Sequence, residues 1–358
     1  MKPIALLSLL LVTAASAGSV QDVINPASLA TCMKPKTAST PVVGFPAKKG
    51  PYKIAFSNSY FGNNWRAQML KVADIYAAQP DIKAYLSEFK IYNTNNDVQQ
   101  QIAQIRQMIL ANVDAIVVNA ASPTGLNSVL EQAAKRGIVI VAFDNTVTAP
   151  SVFNVNKDQY AMGQQWADFL VKQIKGEGTV LMVRGLAGTS VDNDQGNGAM
   201  SVFSKNPKIK VVSTFGNWDV GTNQKVTSSA LAANPKIDAV WGTAGGSGIM
   251  QAFVQAGRPL VPMTAERDNG FMRLAVKNKV PVSVIGQPPA MVAVAMRAAI
   301  ALLSGQKLPK EISLPLETIT TATIKAGVNY FPELPDSFIT DVSIPACGVQ
   351  IAASQIVK

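Results

Sequence analysis

The sequence of 358 residues contains no histidine and only two cysteines. The absence of histidine excludes Ser–His–Asp and Cys–His nucleophilic sites, HExxH zinc sites and acid–base catalysis by imidazole. Two cysteines are too few for a zinc finger or an iron–sulfur cluster. Charged residues are also scarce, at 15% against about 25% in an average soluble protein. What is left is chemistry by carboxylates or lysines, or a binding function without chemistry.

Basic residues outnumber acidic ones, 32 to 22, which gives a formal net charge of +10. The lysines and arginines are scattered, and no block of five or more like charges occurs. A nucleic-acid-binding surface would need a basic stripe interleaved with aromatic residues. The charge pattern therefore predicts no nucleic-acid partner and favours a solvated, positively charged surface near an anionic membrane.

The first residues have the pattern of a secretory signal peptide. Lys2 precedes an apolar run over residues 4–12, and the Ala-Ser-Ala triplet at 15–17 supplies an A-x-A cleavage site. The run is too short for a membrane anchor, which needs about 20 apolar residues. A later apolar run over 291–303 is interrupted by Arg297. The sequence thus predicts export, with removal of residues 1–17 by cleavage after Ala17.

Export places Cys32 and Cys347 in an oxidising compartment. The two cysteines lie near opposite ends of the chain, and chain termini often meet at a domain surface. We predict a Cys32–Cys347 disulfide that ties the N-terminal extension, residues 18–50, to the C-terminal tail. The proline-rich extension is expected to be extended chain without a core of its own. The alternative for the cysteines is two free buried thiols, and mass spectrometry of a non-reduced digest distinguishes the two.

Short apolar runs alternate with helical patterns along the rest of the chain. Such alternation is typical of a parallel sheet covered by helices on both faces. The pattern occurs twice, with similar spacing between successive strands, and Val-Asp-Ala-Ile at 113–116 is matched by Ile-Asp-Ala-Val at 237–240. We therefore predict an α/β protein with two similar doubly wound lobes. The predicted strands lie near 54–56, 89–91, 115–118 and 138–143 in the first set, near 180–183, 210–212, 239–241, 260–261 and 282–285 in the second, and near 314–319 at the end.

Ligands bind at the carboxyl ends of the strands in open parallel sheets, so the loops after the strands form the candidate site. Asparagine, glutamine, aspartate and tryptophan dominate these loops. Amides and carboxylates exchange hydrogen bonds with hydroxyl groups, and tryptophan offers a flat apolar face to the C–H side of a sugar ring. An amino acid or a phosphate would instead need charged clamps or helix N-termini. The loops therefore indicate a sugar or a polyol as ligand.

The loops also contain a recognisable set of motifs: Gly-Asn-Asn-Trp at 62–65, Asn119, Asp144-Asn145, Gly-x-x-Gly-Thr-Ser at 185–190, Asn193 with Gln195, Trp218 and Gln287. With these motifs, the chain from Lys53 to about Ile319 resembles the periplasmic sugar-binding proteins of ABC importers, of the ribose- and galactose-binding type (type I periplasmic binding proteins). The resemblance implies two Rossmann-like lobes with parallel sheets, joined by three crossovers, that close on a ligand in the cleft between them.

Two positions depart from the family pattern. Asn145 stands where the family has an arginine, and Ala244-Gly245 stands where the family has an Asn-Asp pair. The next family aspartate falls among residues 266–268, Glu-Arg-Asp, without a fixed register. These differences argue against ribose and galactose themselves. They favour a less usual sugar, a polyol or a furanose-like signal molecule.

The predicted ligand-binding residues are Asn63, Asn64, Trp65, Asn119, Asp144, Asn145, Asn193, Gln195, Trp218, Glu266, Asp268 and Gln287. Structural alternatives exist for each kind of residue. The tryptophans can belong to the core, Asp144 can cap a turn, and the asparagines at 63 and 64 can cap the helix that follows. The acidic residues at 266 and 268 can face solvent or pair with Arg267. No catalytic residue and no metal ligand is predicted.

The resemblance also implies how the chain is divided. Lobe 1 is expected over 51–153 and 289–319, and lobe 2 with the C-terminal tail over 154–287 and 320–358. The crossovers are expected near 152–156, 286–289 and 318–321.

The predicted function is capture of a small neutral sugar or polyol in the periplasm and its delivery to the membrane permease of an ABC importer. The protein is expected to be a monomer without a cofactor and not an enzyme; a glycosidase would have to use Asp144 with Glu266 or Asp268. One alternative is a ligand-sensing protein whose closed form docks to a chemoreceptor or a sensor kinase. Another, the sugar-sensing half of a transcription repressor, would need an N-terminal helix-turn-helix where the signal peptide stands.

Overall fold

The computed structural model describes residues 23–357, so the predicted signal peptide and its cleavage site lie outside the described residues. The helices are α1 Pro26–Cys32, α2 Asn64–Ala78, α3 Pro80–Lys83, α4 Val98–Leu110, α5 Asn127–Lys135, α6 Gln159–Gln173, α7 Ser190–Phe203, α8 Val220–Ala233, α9 Gly246–Gln255, α10 Asn269–Asn278, α11 Met291–Leu303 and α12 Ala353–Ile356, with a 3-10 turn over Pro345–Cys347. The strands are β1 Val42–Gly44, β2 Tyr52–Asn58, β3 Leu86–Asn93, β4 Ala115–Asn119, β5 Val139–Phe143, β6 Phe153–Lys157, β7 Gly178–Arg184, β8 Ile209–Phe215, β9 Ala239–Gly242, β10 Met263–Ala265, β11 Val282–Ile285, β12 Lys307–Pro309, β13 Glu311–Leu314 and β14 Thr318–Thr320.

Two six-stranded sheets form the centres of two lobes. The sheet of lobe 1 has the order β3-β2-β4-β5-β6-β13, with parallel neighbours throughout. The sheet of lobe 2 has the order β8-β7-β9-β10-β11-β14, with β14 antiparallel to β11 and the other neighbours parallel. The strand order reverses between β2 and β4 in one sheet and between β7 and β9 in the other. The predicted fold class is confirmed, and the reversal points place a ligand site at the carboxyl ends of the strands.

The strands are continuous apolar runs because both faces of each sheet are covered. Every residue of β4 and β5 is buried. Helix α11 is apolar all round, as expected for a helix enclosed by protein, and it is buried along its whole length against β4, β5 and α2 of lobe 1. Its Arg297 donates to the carbonyls of Val23 and Cys347. Within residues 23–357, no helix has the length and apolar character needed to cross a membrane.

The structure places two of the crossovers differently from the expected positions. The first follows Lys157, because β6 pairs with β5 on one side and β13 on the other and so belongs to lobe 1. The second covers 286–290, between β11 and α11, and the third covers 315–317, between β13 and β14. The single strand expected near 314–319 is therefore two strands, since a chain that changes lobe leaves the hydrogen-bond ladder of its sheet. The strand expected at 260–261 also begins later, as β10 at Met263.

The N-terminal extension, expected to be extended chain, contains helix α1. The side-chain oxygen of Asn25 caps this helix and Pro26 is its first residue, and both are helix-start signals. The helix buries Leu29 and Cys32 in the core of lobe 1. The sulfurs of Cys32 and Cys347 lie at bonding distance. Formation of this disulfide in the exported protein stays a prediction.

The C-terminal tail, residues 321–357, was expected to belong to lobe 2 alone. Its first part does so, because Tyr330 packs against the core of lobe 2. Its second part buries Val349, Ile351 and Ile356 in the core of lobe 1, and α12 lies against α2. The tail therefore spans both lobes.

Candidate ligand-binding site

A cavity lies between the lobes, at the carboxyl ends of the strands. Both lobes and the second crossover contribute to its lining. The lining residues are Asn63, Trp65, Arg66 and Asp144 from lobe 1, Val191, Trp218, Ala244 and Glu266 from lobe 2, and Gln287 from the crossover. Half of the predicted ligand-binding residues thus meet at one cavity, although their contact with a ligand stays a prediction.

Asp144 occupies a fixed position at the end of β5. Its φ of 57° lies in the left-handed region, which aspartate adopts more readily than most residues. Strand β6 holds the backbone there: the Asp144 N–H donates to the carbonyl of Val155 at 3.1 Å, and the amide of Asn156 donates to the Asp144 carbonyl at 2.7 Å. The neighbouring strand therefore decides where the carboxylate lies.

The Asp144 carboxylate is the centre of a hydrogen-bond network. Its Oδ2 accepts from Arg66 at 3.3 Å, from Asn119 at 3.0 Å and from Asn145 at 3.1 Å. Its Oδ1 accepts from Nε2 of Gln287 at 2.7 Å, so the crossover is tied to lobe 1. Asn119 and Asn145, both predicted to bind ligand, do not line the cavity. They lie behind Asp144, and their side chains position its carboxylate.

Arg66 is a cavity residue that the sequence analysis missed. Its guanidinium lies over the Trp65 ring, 5.0 Å from the centroid, and donates to Asn58 at 3.3 Å as well as to Asp144. Burial lowers the pKa of Arg66, and the negative charge of Asp144 opposes this shift. A lone arginine after a tryptophan at a helix start gives no sequence signal of burial, because its partner lies 78 positions away.

The two indole rings come from opposite lobes. Nε1 of Trp65 donates to the carbonyl of Gln287, so this ring is held at the second crossover. Trp218 has a φ of 59° and packs against Val191 and Ala244. A side chain at Gly185 would collide with the Trp218 ring. The ring of Trp218 is thus seated on the backbone of the glycine that opens the Gly-x-x-Gly-Thr-Ser motif.

Glu266 is a buried carboxyl group in the cavity wall. It follows β10 and its side chain makes no hydrogen bond to any described residue, while its backbone N–H donates to Thr243 at 3.2 Å. Burial raises the pKa of Glu266 well above the usual 4.5, and the nearby charge of Asp144 raises it further. These effects favour the neutral acid, which can both donate and accept a hydrogen bond.

Two polar atoms of the lining are buried without a partner among residues 23–357. They are Nε1 of Trp218, a donor, and Oε1 of Gln287, an acceptor. The side-chain oxygen of Asn63 accepts from the N–H of Arg66 at 2.8 Å and so caps α2. Buried polar groups are nearly always paired in folded proteins, so these atoms indicate where hydroxyl groups of a ligand would bind.

The remaining predicted residues lie outside this cavity. Asn64 is exposed, and Asp268 caps α10 by accepting from the N–H of Phe271 at 2.6 Å. Both line a neighbouring cavity that also contacts Trp65 and Trp218.

On α7, Asn193 is exposed, whereas Gln195 is buried and donates to Gln159 at 2.8 Å. Neither residue lines the cavity between the lobes, and their ligand role stays a prediction. Residues two positions apart on a helix point in directions that differ by about 200°, so the side chains of Asn193 and Gln195 cannot face the same side.

Residues 54–307 match the family described as Periplasmic binding protein domain. This match covers more than half of the chain, and the chain therefore belongs to the family of periplasmic binding proteins. The resemblance inferred from the loop motifs is confirmed. The expectation that the protein is a binding protein rather than an enzyme is confirmed by the same membership.

Individual relatives agree with this assignment. The chain is 31% identical over 177 residues to the xylitol-binding protein of Mycolicibacterium smegmatis, a match that covers 48% of this chain and about half of that protein's length. It is 23% identical over 276 residues to the ribose import binding protein of Bacillus subtilis, covering 76% of this chain and 88% of that one. A solved ABC transporter solute-binding protein from Thermobispora bispora superposes with a TM-score of 0.70 at 31% identity, covering 74% of this chain and 84% of that one.

Proposed function

We propose that the protein captures a small uncharged sugar or polyol, of pentose or pentitol size, in the periplasm and delivers it to the permease of an ABC importer. The observation that carries the proposal is one interlobe cavity that unites an indole from each lobe with the hydrogen-bonded carboxylate of Asp144. Export by a signal peptide cleaved after Ala17 is part of the proposal, as is action as a monomer.

The unpartnered atoms of the cavity favour a hydroxylated ligand. Nε1 of Trp218 needs an acceptor and Oε1 of Gln287 needs a donor, and a hydroxyl group can act as either. A buried polar atom without a partner costs about 1–3 kcal/mol, so ligand hydroxyls that pair both atoms stabilise the complex. The ring faces of Trp65 and Trp218 supply apolar contact for the C–H groups of the same ligand.

The charges of the cavity favour an uncharged ligand. The Arg66 guanidinium and the Asp144 carboxylate form a buried ion pair at 3.3 Å. The raised pKa of Glu266 favours its neutral form. No charge is left over for a carboxylate or ammonium group of a ligand, and burial of an unpaired charge is strongly unfavourable.

The relatives favour a five-carbon ligand. Relatives of this chain are named for xylitol and for ribose. Such a ligand touches both lobes at once and so stabilises the closed form by contacts that an open form lacks. The closed surface would then dock to the permease.

The test is a thermal-shift screen over pentoses, hexoses, tetritols and pentitols, followed by calorimetry with each compound that raises the melting temperature. Trp218→Ala removes a donor and an apolar face, a loss of more than about 1.4 kcal/mol, so affinity should fall at least ~10-fold. Phe61→Ala is the matched control, because Phe61 is an exposed aromatic residue of the Trp65 loop that does not line the cavity. No melting shift with any sugar or polyol, or equal losses in both variants, would refute the proposal.

A further inference from the structure

The first part of the C-terminal tail is anchored to lobe 2. The Asn269 side chain, at the start of α10, donates to the carbonyls of Phe331, Leu334 and Pro335 at 2.9, 3.0 and 3.1 Å. Arg273 of the same helix forms an ion pair with Asp336 at 2.6 Å. The backbone of the tail is thus bonded to lobe 2 over residues 331–336, while the side chains of Phe331 and Leu334 pack against the core of lobe 1.

The second part of the tail is anchored to lobe 1. The Gln68 side chain on α2 accepts from the N–H of Ile339 at 2.7 Å and donates to its carbonyl at 3.1 Å. Further along, Lys71 of the same helix donates to the carbonyl of Ile356 at 2.7 Å. The sulfur of Cys347 lies at bonding distance from that of Cys32, whose helix α1 packs in the core of lobe 1.

Contacts to the two lobes alternate over three adjacent residues. The carbonyl of Phe338 accepts from the backbone N–H of Asn269 in lobe 2 at 2.8 Å, and the N–H of Thr340 donates to the carbonyl of Arg267 in lobe 2 at 3.0 Å. Ile339, between them, is held by Gln68 in lobe 1. Residues 337–340, here called the tail junction, therefore bridge the two lobes. The region matched by the family ends at residue 307, so the tail junction lies beyond it.

The tail junction runs from the crossovers towards the indoles. Near the crossovers, the Asp341 carboxylate lies so close to Gly286 that a side chain there would collide with it. At the other end, Ser337 and Ile339 line the neighbouring cavity together with Trp65 and Trp218. When the lobes rotate about the crossovers, points far from the rotation axis move further than points close to it. Opening of the lobes would therefore strain the tail junction.

We infer that the tail junction is a fourth connection between the lobes, which limits how far they open and forms a side wall beside the ligand cavity. Opening must either stretch residues 337–340 or break the hydrogen bonds of Gln68 or Asn269. The lobe 1 end is also held by the core and by the predicted disulfide, so the anchored tail restrains opening whatever ligand the cavity takes.

The experiment measures the distance between the lobes in the ligand-free protein. Spin labels on Arg106→Cys, on α4 of lobe 1, and Lys225→Cys, on α8 of lobe 2, report this distance by pulsed electron resonance; both positions are exposed. A flexible Gly-Ser insertion of about six residues between Thr340 and Asp341, combined with Gln68→Ala, slackens the junction, because Thr340 is bonded to lobe 2 and Gln68 holds Ile339 to lobe 1. The same insertion after Ala352, an exposed residue beyond Cys347, is the matched control because it leaves the junction intact.

The insertion after Thr340 with Gln68→Ala should lengthen or broaden the distance by more than about 2 Å, the scale of domain rearrangement, while the control keeps the native distribution. Gln68→Ala alone, which removes only the hydrogen bonds that hold Ile339 to lobe 1, should shift the distance in the same direction by less, and it decides the matter if the insertion prevents folding. Native distances in every variant that folds would overturn the inference. Because no ligand is used, failure of sugar binding leaves this result unaffected.

Discussion

At the residue scale, Asp144 connects the parts of the site that a ligand must bring together. Its carboxylate accepts from Arg66 in lobe 1 and from Gln287 in the second crossover. The same carboxylate neutralises the buried arginine and so keeps the cavity free of net charge. Asp144 therefore stabilises lobe 1 and also positions the second crossover.

We expect Asp144→Ala to be less stable than Asp144→Asn. Both variants leave the Arg66 guanidinium buried without its ion-pair partner, and for alanine this should lower the free energy of unfolding by about 3–5 kcal/mol. Asparagine keeps an oxygen for the donors around Oδ2 and tolerates the positive φ. Its amide can face Oε1 of Gln287 after the glutamine side chain flips, so this variant should lose less than alanine.

Urea unfolding of the two variants measures this difference. Asn119→Ala is the companion variant, since it removes a different donor to the same carboxylate while it leaves the ion pair in place. Equal and large destabilisation by alanine and asparagine at position 144 would show that the ion pair with Arg66, and not the hydrogen bonds, decides the stability.

The second residue-scale prediction concerns Glu266 and pH. Burial raises its folded-state pKa well above 4.5, so the folded protein holds a proton that the unfolded chain has lost. The free energy of unfolding therefore falls as pH rises from about 4.5 through the folded pKa. Glu266→Gln keeps the neutral shape and removes the titration, so it should match the wild type at low pH and be more stable at high pH.

Urea titrations across the pH range test this difference. Asp268→Asn is the comparison, because burial raises the pKa of Asp268 to about 6 and asparagine preserves the helix cap. Its advantage over the wild type should develop between 3.8 and about 6 and then stay constant. Parallel wild-type and Glu266→Gln curves at all pH values would contradict the raised pKa of Glu266.

At the scale of elements, the sequence predicted the elements whose identity depends on local pattern. The buried strand β11 has the bounds Val282–Ile285 that its apolar run predicted, and α11 follows at Met291. The split of 314–319 into β13 and β14 could not be predicted, because the change of lobe depends on pairing with strands far away in sequence. Helix α1 could have been predicted, since Asn25 and Pro26 are local start signals.

The candidate site also contains residues that local sequence predicts and residues that depend on distant partners. Asp144, which directly follows the strand predicted at 138–143, does line the cavity. Arg66 could not be predicted, because its burial depends on partners in other loops. The opposite directions of the Asn193 and Gln195 side chains could have been predicted, since side chains two positions apart on a helix point to opposite sides of its axis.

The element-scale prediction concerns the close approach of α6 and α7. A side chain at Gly163 would collide with the carbonyl of Gln195, and one at Gly198 with the carbonyl of Tyr160. Because backbone atoms cannot move aside like a side-chain end, Gly163→Ala and Gly198→Ala should each lower the free energy of unfolding by about 1–3 kcal/mol.

Gly221→Ala on α8 is the matched control for these helical glycines. Its nearest neighbour, Oδ1 of Asp219, would lie at an ordinary contact distance of 3.5 Å. Alanine should then stabilise this helix by about 0.5–1 kcal/mol. If the urea midpoint increased in all three variants, helix propensity, and not the α6–α7 approach, would decide the outcome.

At the scale of the whole molecule, the N-terminal extension and the C-terminal tail meet on lobe 1 at Cys32 and Cys347. Cys32 and Cys347 are separated by 315 positions and both are buried. Arg297 of α11 donates to the Cys347 carbonyl and to the Ser28 hydroxyl. The most buried helix thus contacts the N-terminal extension and the C-terminal tail at once.

We therefore expect the predicted disulfide to stabilise the whole fold rather than one terminus. Closing so long a loop restricts the unfolded chain, so Cys32→Ala/Cys347→Ala should lower the free energy of unfolding by about 2–4 kcal/mol. Alanine is the suitable replacement because it buries no unpaired hydroxyl group. Wild-type protein that is reduced and kept reduced should unfold at nearly the same urea concentration as the double variant. If both thiols reacted with an alkylating reagent in urea without any reductant, the cysteines would be unlinked, and the extension and the tail would be held by packing alone.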